Sequence, residues 1–464
     1  MGFTHMHRSV QSAANLTSFI WTCIACVPLM SGHADAAPSS MIAQAASGST
    51  PVPAPPPEPT VERILLSDAV SRAMANNTTV LTAIAEVRRA DALVEQVRAS
   101  ALPTLNASGS YARIDANQDI SPYNNQFTGA ITISVPLLAP ASWAQWAHAR
   151  DSRKLASLSA NRVRWLVAVA VARAYLALIA QHRVVELYLH ASETAQAHLD
   201  NARLRHTEGL GSALDEARAE QEVRSNESRE QSAYAMLAQL QGALGSLLGD
   251  SHPIDALQEP NLPPLLDDEA AVAGALQRPD LSSLLYGVQA GKKQLRLSFA
   301  DFLPTLALTL GPTAQLPALY GTTPPLPGAT PWLLGWQTQV SMNVPLYDSG
   351  LRYGLLHERR ALLTQTEVSL QGALKQVRID IATNRESLNR ATRALAQANQ
   401  AAVLAQRALS IAQLSYQNGA GTNLEMVDAL RRAQDANTAA ALAQNEVWQR
   451  WLDLLVTSGQ FPWH

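Results

Sequence analysis

The chain has 464 residues, 47% of them apolar but only 5% aromatic, so the apolar content is chiefly Ala, Leu and Val. Its 35 basic and 38 acidic side chains leave a net charge of −3, with no surplus to grip a phosphate backbone. Beyond the N-terminus no unbroken apolar run is long enough to span a bilayer, so a nucleic-acid binder and a polytopic helical membrane protein both fit poorly.

Residues 1–37 have the order of a secretory signal. His7 and Arg8 precede an apolar stretch from Leu16 to Met30, and small residues follow, with an Ala-x-Ala cut after Ala36. Both cysteines, Cys23 and Cys26, fall inside this leader. Nothing downstream builds a thioredoxin-like unit around their spacing; a cut before Cys26 instead makes it a candidate for lipidation. Residues 38–60, with Pro51, Pro53, Pro55, Pro56, Pro57 and Pro59, predict a flexible polyproline-like linker.

The remainder reads as two structural repeats, 61–262 and 263–460. The first is expected to hold a helix, strands at 104–114 and 127–137, and a helical hairpin over 141–250 with its tip at 209–212. The second is expected to hold helices, strands at 304–313 and 333–346, and a hairpin over 348–457 with its tip at 419–422. No proline occurs between Pro140 and Pro253 or between Pro345 and Pro462, and helix formers fill both stretches. Leu374, Ile381, Leu388, Leu395, Ala402 and Leu409 recur every seven residues, as do Val163, Ala170, Ala177, Val184 and Ala191. Such seams belong to helices wound side by side. Each stretch has one break, Gly209-Leu210-Gly211-Ser212 or Gly419-Ala420-Gly421-Thr422, where a helix stop meets a helix start.

Landmarks return in one order. Leu102-Pro103-Thr104-Leu105 recurs as Leu303-Pro304-Thr305-Leu306, and Val135-Pro136-Leu137 as Val344-Pro345-Leu346. The first tip and Asp215 recur as the second tip and Glu425. This is the mark of duplication of a unit of roughly 200 residues.

Between the landmarks the period changes. Phe127, Gly129, Ile131, Ile133, Val135 and Leu137 alternate with Thr128, Ala130, Thr132 and Ser134. Trp336, Thr338, Val340, Met342 and Val344 alternate with Gln337, Gln339, Ser341 and Asn343. Period two marks strands. In an exported chain it fits barrel strands with one lipid-facing row, Tyr123, Phe127, Trp332 and Trp336 serving as interface aromatics. A half-buried soluble sheet has the same pattern. Residues 115–126 and 312–331 are expected to be outer loops. Four strands cannot close alone, and a membrane sheet cannot leave an edge in hydrocarbon, so several chains must share one barrel.

His182, His190, His198 and His206 recur every eight residues. That step turns a helix by about 80° and climbs about 12 Å, so no two share a metal ion. They read as surface or seam residues. No phosphate-cradling loop, zinc spacing or serine elbow appears where it would work, so neither an enzyme nor a cofactor is expected.

Val344-Pro345-Leu346-Tyr347-Asp348-Ser349-Gly350 and Ser415-Tyr416-Gln417-Asn418-Gly419-Ala420-Gly421-Thr422 resemble the TolC-like outer-membrane efflux proteins of Gram-negative bacteria, and the resemblance covers roughly residues 60–460. It implies a mainly α fold with a membrane β part. Long antiparallel hairpins would form a homotrimeric periplasmic α-barrel continuous with a 12-stranded β-barrel. It implies a passive exit duct in outer-membrane lipid, carrying small toxic compounds from an inner-membrane transporter through a periplasmic adaptor. The tips Gly209, Leu210, Gly211, Ser212, Gly419, Ala420, Gly421 and Thr422 match adaptor-docking positions. Glu425 and Asp428 match the acidic rings of the periplasmic gate, and Tyr416 and Asp215 match members of a tip latch. The latch arginine of the family falls at Gly421, and Val135-Pro136-Leu137-Leu138-Ala139-Pro140 departs from the aromatic-Asp-Gly form. A duct for type I-like protein or polysaccharide secretion, and an exported coiled-coil scaffold without a pore, are the competing functions.

Overall fold

The structure, a computed structural model, describes residues 61–113, 125–261, 263–317 and 333–461. The expected leader and linker, Cys26, Tyr123 and Trp332 lie outside those residues.

The chain starts with β1 (Glu62–Ile64), α1 (Leu66–Asn76) and α2 (Thr78–Ala99). Strands β2 (Thr104–Arg113) and β3 (Asn125–Leu138) lead into α3 (Pro140–Thr207) and α4 (Ala213–Leu248). Then come β4 (Ile254–Ala256), α5 (Asp268–Ala275) and α6 (Pro279–Leu297), the last ending in a 3-10 turn over Ser298–Phe302. Strands β5 (Thr305–Pro317) and β6 (Leu333–Asn343) lead into α7 (Leu351–Gln417) and α8 (Asn423–Thr457). The first arms, α3 with 68 residues and α7 with 67, are each about 100 Å long.

The heptad positions close the arms. Ile381, Leu388, Ala402 and Leu409 are buried, and Leu374 and Leu395 pack against the cluster that holds Ile381 and Leu388. Midway along the arms Tyr175, Leu176 and Leu178 of α3 meet Leu244 and Leu248 of α4 and Leu452 and Leu455 of α8. The Tyr175 hydroxyl donates to the Gln258 carbonyl at 2.8 Å and also contacts the Ile64 carbonyl at 3.2 Å, next to the parallel pair of β1 and β4. This stretch makes α3 apolar enough over one 18-residue window, mean hydropathy 1.8, to pass as a membrane span. In that window 61% is buried inside the chain, so it is helical core.

The other strands form one antiparallel sheet in the order β2-β3-β5-β6. Its register puts most apolar side chains on one face, with Thr338 among them as an exception. Leu105 and Tyr111 of β2, Phe127, Ile131, Ile133 and Val135 of β3, Leu306, Leu308 and Leu310 of β5, and Leu334, Trp336, Val340 and Met342 of β6 share one face. Asn106, Ser108, Ser110, Thr128, Ser134, Thr309, Gln337, Gln339 and Ser341 share the other. The apolar face is bare within one chain: Leu334 is 79% exposed and Trp336 78%. Strands β2 and β6 each pair on one side only.

Strand β5 corrects the sequence reading, which put a loop from Pro312 onward. The strand continues to Pro317. Pro312 has no N–H to donate, and the β3–β5 ladder skips it, stepping from the pair Ala130–Thr313 to the pair Ile133–Leu310. Gly311 makes the skip possible, because a Cβ there would sit 1.8 Å from the Ile131 carbonyl oxygen. At the other end β6 stops at Asn343, short of the expected 346, just before Val344 and Pro345.

Opposite faces of β5 are expected to answer the same change differently. Leu308→Arg, on the apolar face, should destabilise the protein in phospholipid vesicles by about 2–4 kcal/mol if that row faces lipid at mid-depth, while Thr309→Arg stays within about 1 kcal/mol. Denaturant titration of both variants in vesicles checks this, and equal costs would refute a lipid-facing row.

Candidate functional site

Both hairpin tips are built alike. Gly209 and Gly419 adopt positive φ, +73° and +71°, the left-handed turn after a helix that glycine takes without strain. The Leu210 and Gly211 N–H groups both donate to the Arg205 carbonyl, at 2.8 and 2.9 Å. Those of Ala420 and Gly421 donate to the Ser415 carbonyl, at 2.8 and 3.0 Å. The turns are tight, since a Cβ on Gly211 or Gly421 would lie 3.3 or 3.0 Å from the end of the preceding helix. The return helices start with reciprocal caps, Ser212 with Asp215 and Thr422 with Glu425. Ser212 Oγ donates to Asp215 Oδ2 at 2.7 Å, and this bond holds the Asp215 carboxyl below the usual carboxylate range against a smaller opposing effect of burial. Leu210 and Leu214 are exposed beside the first turn and Leu424 beside the second.

Sequence-singled residues gather at these tips in a definite arrangement. Tyr416 is buried between the hairpins, 8% exposed, and burial raises its phenol pKa above the ordinary value. Arg205 clamps it: the guanidinium lies 4.6 Å from the ring centroid, and Nη1 donates to the Tyr416 carbonyl at 2.7 Å. His198 meets the ring edge-on at 5.4 Å between centroids. His198 Nε2 lies 2.8 Å from Asn423 Oδ1, and Asn423 Nδ2 donates to the Asp215 carbonyl at 2.9 Å. Tyr416 and Asp215 therefore belong to one cluster, but Asn423 and His198 stand between them, and no hydrogen bond joins the two directly among the described residues.

The acidic pair sits just inside the second turn. Glu425 Oε2 accepts from the Thr422 N–H at 3.0 Å, so its carboxylate caps α8. Asp428 is exposed and pairs with Arg432 at 3.0 Å along the same helix. Further along, Arg431 reaches across to the buried Glu222 of α4 at 2.7 Å, and Gln434 donates to Asn226 at 2.8 Å.

Arg205, Asn423, Glu222 and Arg431 were not singled out from sequence. His198 was, as a surface or seam residue, and it is a buried seam residue. The seam itself carried the signal: His198 is seven residues past Ala191, and Tyr416 seven past Leu409. Each continues a heptad row, and the two rows meet where these rings touch. The other three histidines have separate partners, His182 with Asp255, His190 with Glu193 and His206 with Glu216.

Comparison with known proteins places this geometry. The family model described as outer membrane efflux protein matches residues 69–250 and 274–460. The chain is 26% identical over 381 residues to the cation efflux system protein CusC of Escherichia coli (strain K12), covering 78% of this chain and 79% of that protein. It is 25% identical over 408 residues to the pyoverdine export outer membrane protein OpmQ of Pseudomonas aeruginosa, with 82% of each covered. Its fold superposes on the outer membrane protein VceC of Vibrio cholerae with a TM-score of 0.70 at 18% identity, covering 85% of this chain and 96% of that one.

The His198 environment sets a pH response. Burial lowers its pKa most, with the Asn423 bond and the Asp215 charge opposing. A histidine whose folded pKa is depressed binds fewer protons folded than unfolded, so its contribution is intact above about pH 6.5 and is lost as pH falls toward the folded value. Hydrogen exchange of tip amides is expected to accelerate on acidification through that window, and His198→Gln should flatten the dependence. An unchanged profile in His198→Gln would remove this histidine as the cause.

Proposed function

The chain belongs to the outer membrane efflux protein family, and from that premise we propose that three copies close one continuous duct across the outer membrane and into the periplasm. The exit duct of a tripartite efflux system is its function, with an adaptor and an inner-membrane pump as the other two parts. The observation that carries the trimer is the four-stranded sheet, amphipathic across its whole width and unpaired at β2 and β6. Joining β2 of one copy to β6 of the next satisfies every edge, and three copies give the 12 strands. The apolar face then meets lipid and the Thr/Ser/Asn/Gln face lines the lumen. The two hairpins of each copy, descended from one duplicated unit, continue the wall as an α-barrel.

The lumen side chains of the sheet are polar and almost without charge, a lining that discriminates little among solutes. This fits passive conduction of small toxic compounds, the choice of cargo resting with the pump. Cation efflux and pyoverdine export are named for two relatives and set the range of cargo that such a lining tolerates. The tips at 209–212 and 419–422, with Leu210, Leu214 and Leu424 exposed beside them, are the docking points for the adaptor.

Glu425 and Asp428 form the periplasmic gate. Three copies bring these carboxylates into rings, where like charges favour cations and oppose tight closure. Arg432 offsets much of the Asp428 charge, so Glu425 dominates the ring. Tyr416, with Asp215 in the same cluster, ties the hairpins together below it; in place of the latch arginine lost at Gly421, Arg205 holds the tyrosine from the other hairpin.

Single-channel recording on purified trimers in planar bilayers tests the reading. Glu425→Gln is expected to raise conductance and reduce the cation-to-anion permeability ratio several-fold, with Asp428→Asn changing it less. Complete silence, even with both residues replaced by Ala, would end the duct reading. A separate test concerns docking: Gly209→Trp with Gly419→Trp should abolish cross-linking to the adaptor and efflux in cells, and unchanged cross-links would remove the tips from that role.

A further inference from the structure

Charge is spread unevenly along the chain. Overall, acidic side chains outnumber basic ones, 38 to 35. The helical stretches adjoining the four-stranded sheet reverse this, since segments 88–99, 140–154, 292–302 and 348–360 hold 12 Lys and Arg against 6 Asp and Glu. Some of these bases are committed, Arg153 to Asp91 and Lys293 to Asp151 among them. Arg150, Lys154 and Arg296 are exposed and have no ion-pair partner among the described residues. The two committed pairs also fix the layer of helices. Lys293 and Tyr286 of α6 meet Asp151 at 2.9 and 3.0 Å, and Asp91 of α2 meets Arg153 at 2.6 Å, so α3 lies between α2 and α6. At about 100° per residue, Trp143, Arg150 and Lys154 of α3 and Arg296 of α6 come out on one side of that layer. His148 and Ser152 come out on the other, in a cleft shared with α6 and α7.

The depth of this basic side is set by the sheet. Helix α3 starts at Pro140, two residues after β3 ends at Leu138. Its rise puts Trp143 and Trp146 about 5 and 9 Å below that start and the Arg150 backbone about 15 Å below. Helical side chains lean toward the N-terminus, which for α3 is toward the sheet. Arg150 follows that lean, its guanidinium stacked 4.7 Å from the Trp146 ring centroid and so raised by a turn. Arg296 reaches a similar level, one turn nearer the sheet than Lys293 where that side chain meets Asp151. With the apolar strand face in hydrocarbon, these groups meet the headgroup layer, which adds about 5–7 Å beyond each hydrocarbon boundary. Trp143, 43% exposed, offers an indole to the same zone. A guanidinium fixed by stacking is preorganised for a phosphate, and several unpaired bases together repel the ammonium of a zwitterionic headgroup. We propose that Arg150 and Arg296, flanked by Trp143 and Trp146, bind the phosphate of an anionic phospholipid in the periplasmic leaflet, with Lys154 one turn lower adding to the attraction. The inference rests on the duct reading, which puts the apolar strand face in lipid, and adds to it the lipid class that this chain selects.

The test places the full-length trimer in bilayer discs of equal parts phosphatidylglycerol and phosphatidylcholine with matched acyl chains. Native mass spectrometry then counts the lipids that the released trimer retains. Wild-type protein is expected to retain phosphatidylglycerol over phosphatidylcholine by about fivefold or more, the scale of one basic residue at a membrane surface. Arg150→Gln with Arg296→Gln should bring the ratio close to one, and Arg150→Lys should keep part of the preference. Arg407→Gln, an equally exposed base far down α7, should leave the ratio unchanged; a loss as large as that of the double variant would mean a general charge effect and overturn the site. If the double variant does not assemble, Arg150→Gln decides alone, an unchanged ratio counting against the proposal. A shift in cation-to-anion permeability of the double variant with lipid retention unchanged would put these side chains in the lumen and also overturn it. Wild-type trimers that conduct yet retain both lipids equally sink the lipid site only. Protein that stays silent in planar bilayers with Glu425 and Asp428 replaced sinks the duct itself.

Discussion

A backbone N–H or C=O facing hydrocarbon without a partner costs several kcal/mol, and this requirement shapes everything above the helices. Four strands cannot meet it alone. The chain gives most of one face of β2, β3, β5 and β6 to apolar side chains and leaves the outer strands β2 and β6 paired on one side only, an arrangement poorly suited to water. The closure by copies that we propose would follow from this sheet chemistry. Even the awkward Pro312 in an inner strand is accommodated locally, by Gly311 and a skipped pairing, so that the ladder resumes on both sides.

Below the sheet the same chain solves a different problem. A helix of 68 residues satisfies its own backbone but has little to hold it straight, and stability comes from side-chain seams with its neighbours. The seam is not uniform. Aromatic and leucine packing concentrates midway, around Tyr175 and Leu452, while alanine and buried amides and charges take over toward the tips.

At the tips, residues proposed for the gate and the latch also cap the return helices. Glu425 caps its own helix, and Asp215 caps the matching helix of the other hairpin. Asp428 shares its charge with Arg432. The cluster around Tyr416 is assembled from both hairpins, with Arg205 and His198 from α3, Asn423 from α8 and Tyr416 itself from α7.

What the sequence alone determined was whatever repeats at short range. The proline-free arms, the heptad rows from Leu374 to Leu409, the glycine turns and the alternation of Trp336 with Gln337 are fixed by the periods of helix and strand, and each is readable in one dimension. The two tips were legible for the same reason, since a turn after a helix needs glycine and a start needs Ser or Thr. The partners across the hairpins were not. Nothing local pairs Glu222 with Arg431, Arg205 with Tyr416 or His198 with Asn423, because each pair joins residues more than two hundred positions apart whose meeting depends on how the two hairpins lie side by side. The extent of β5 was decided the same way: a proline at 312 reads locally as a strand end, and only the neighbouring strand, stepping past it, keeps it in the sheet.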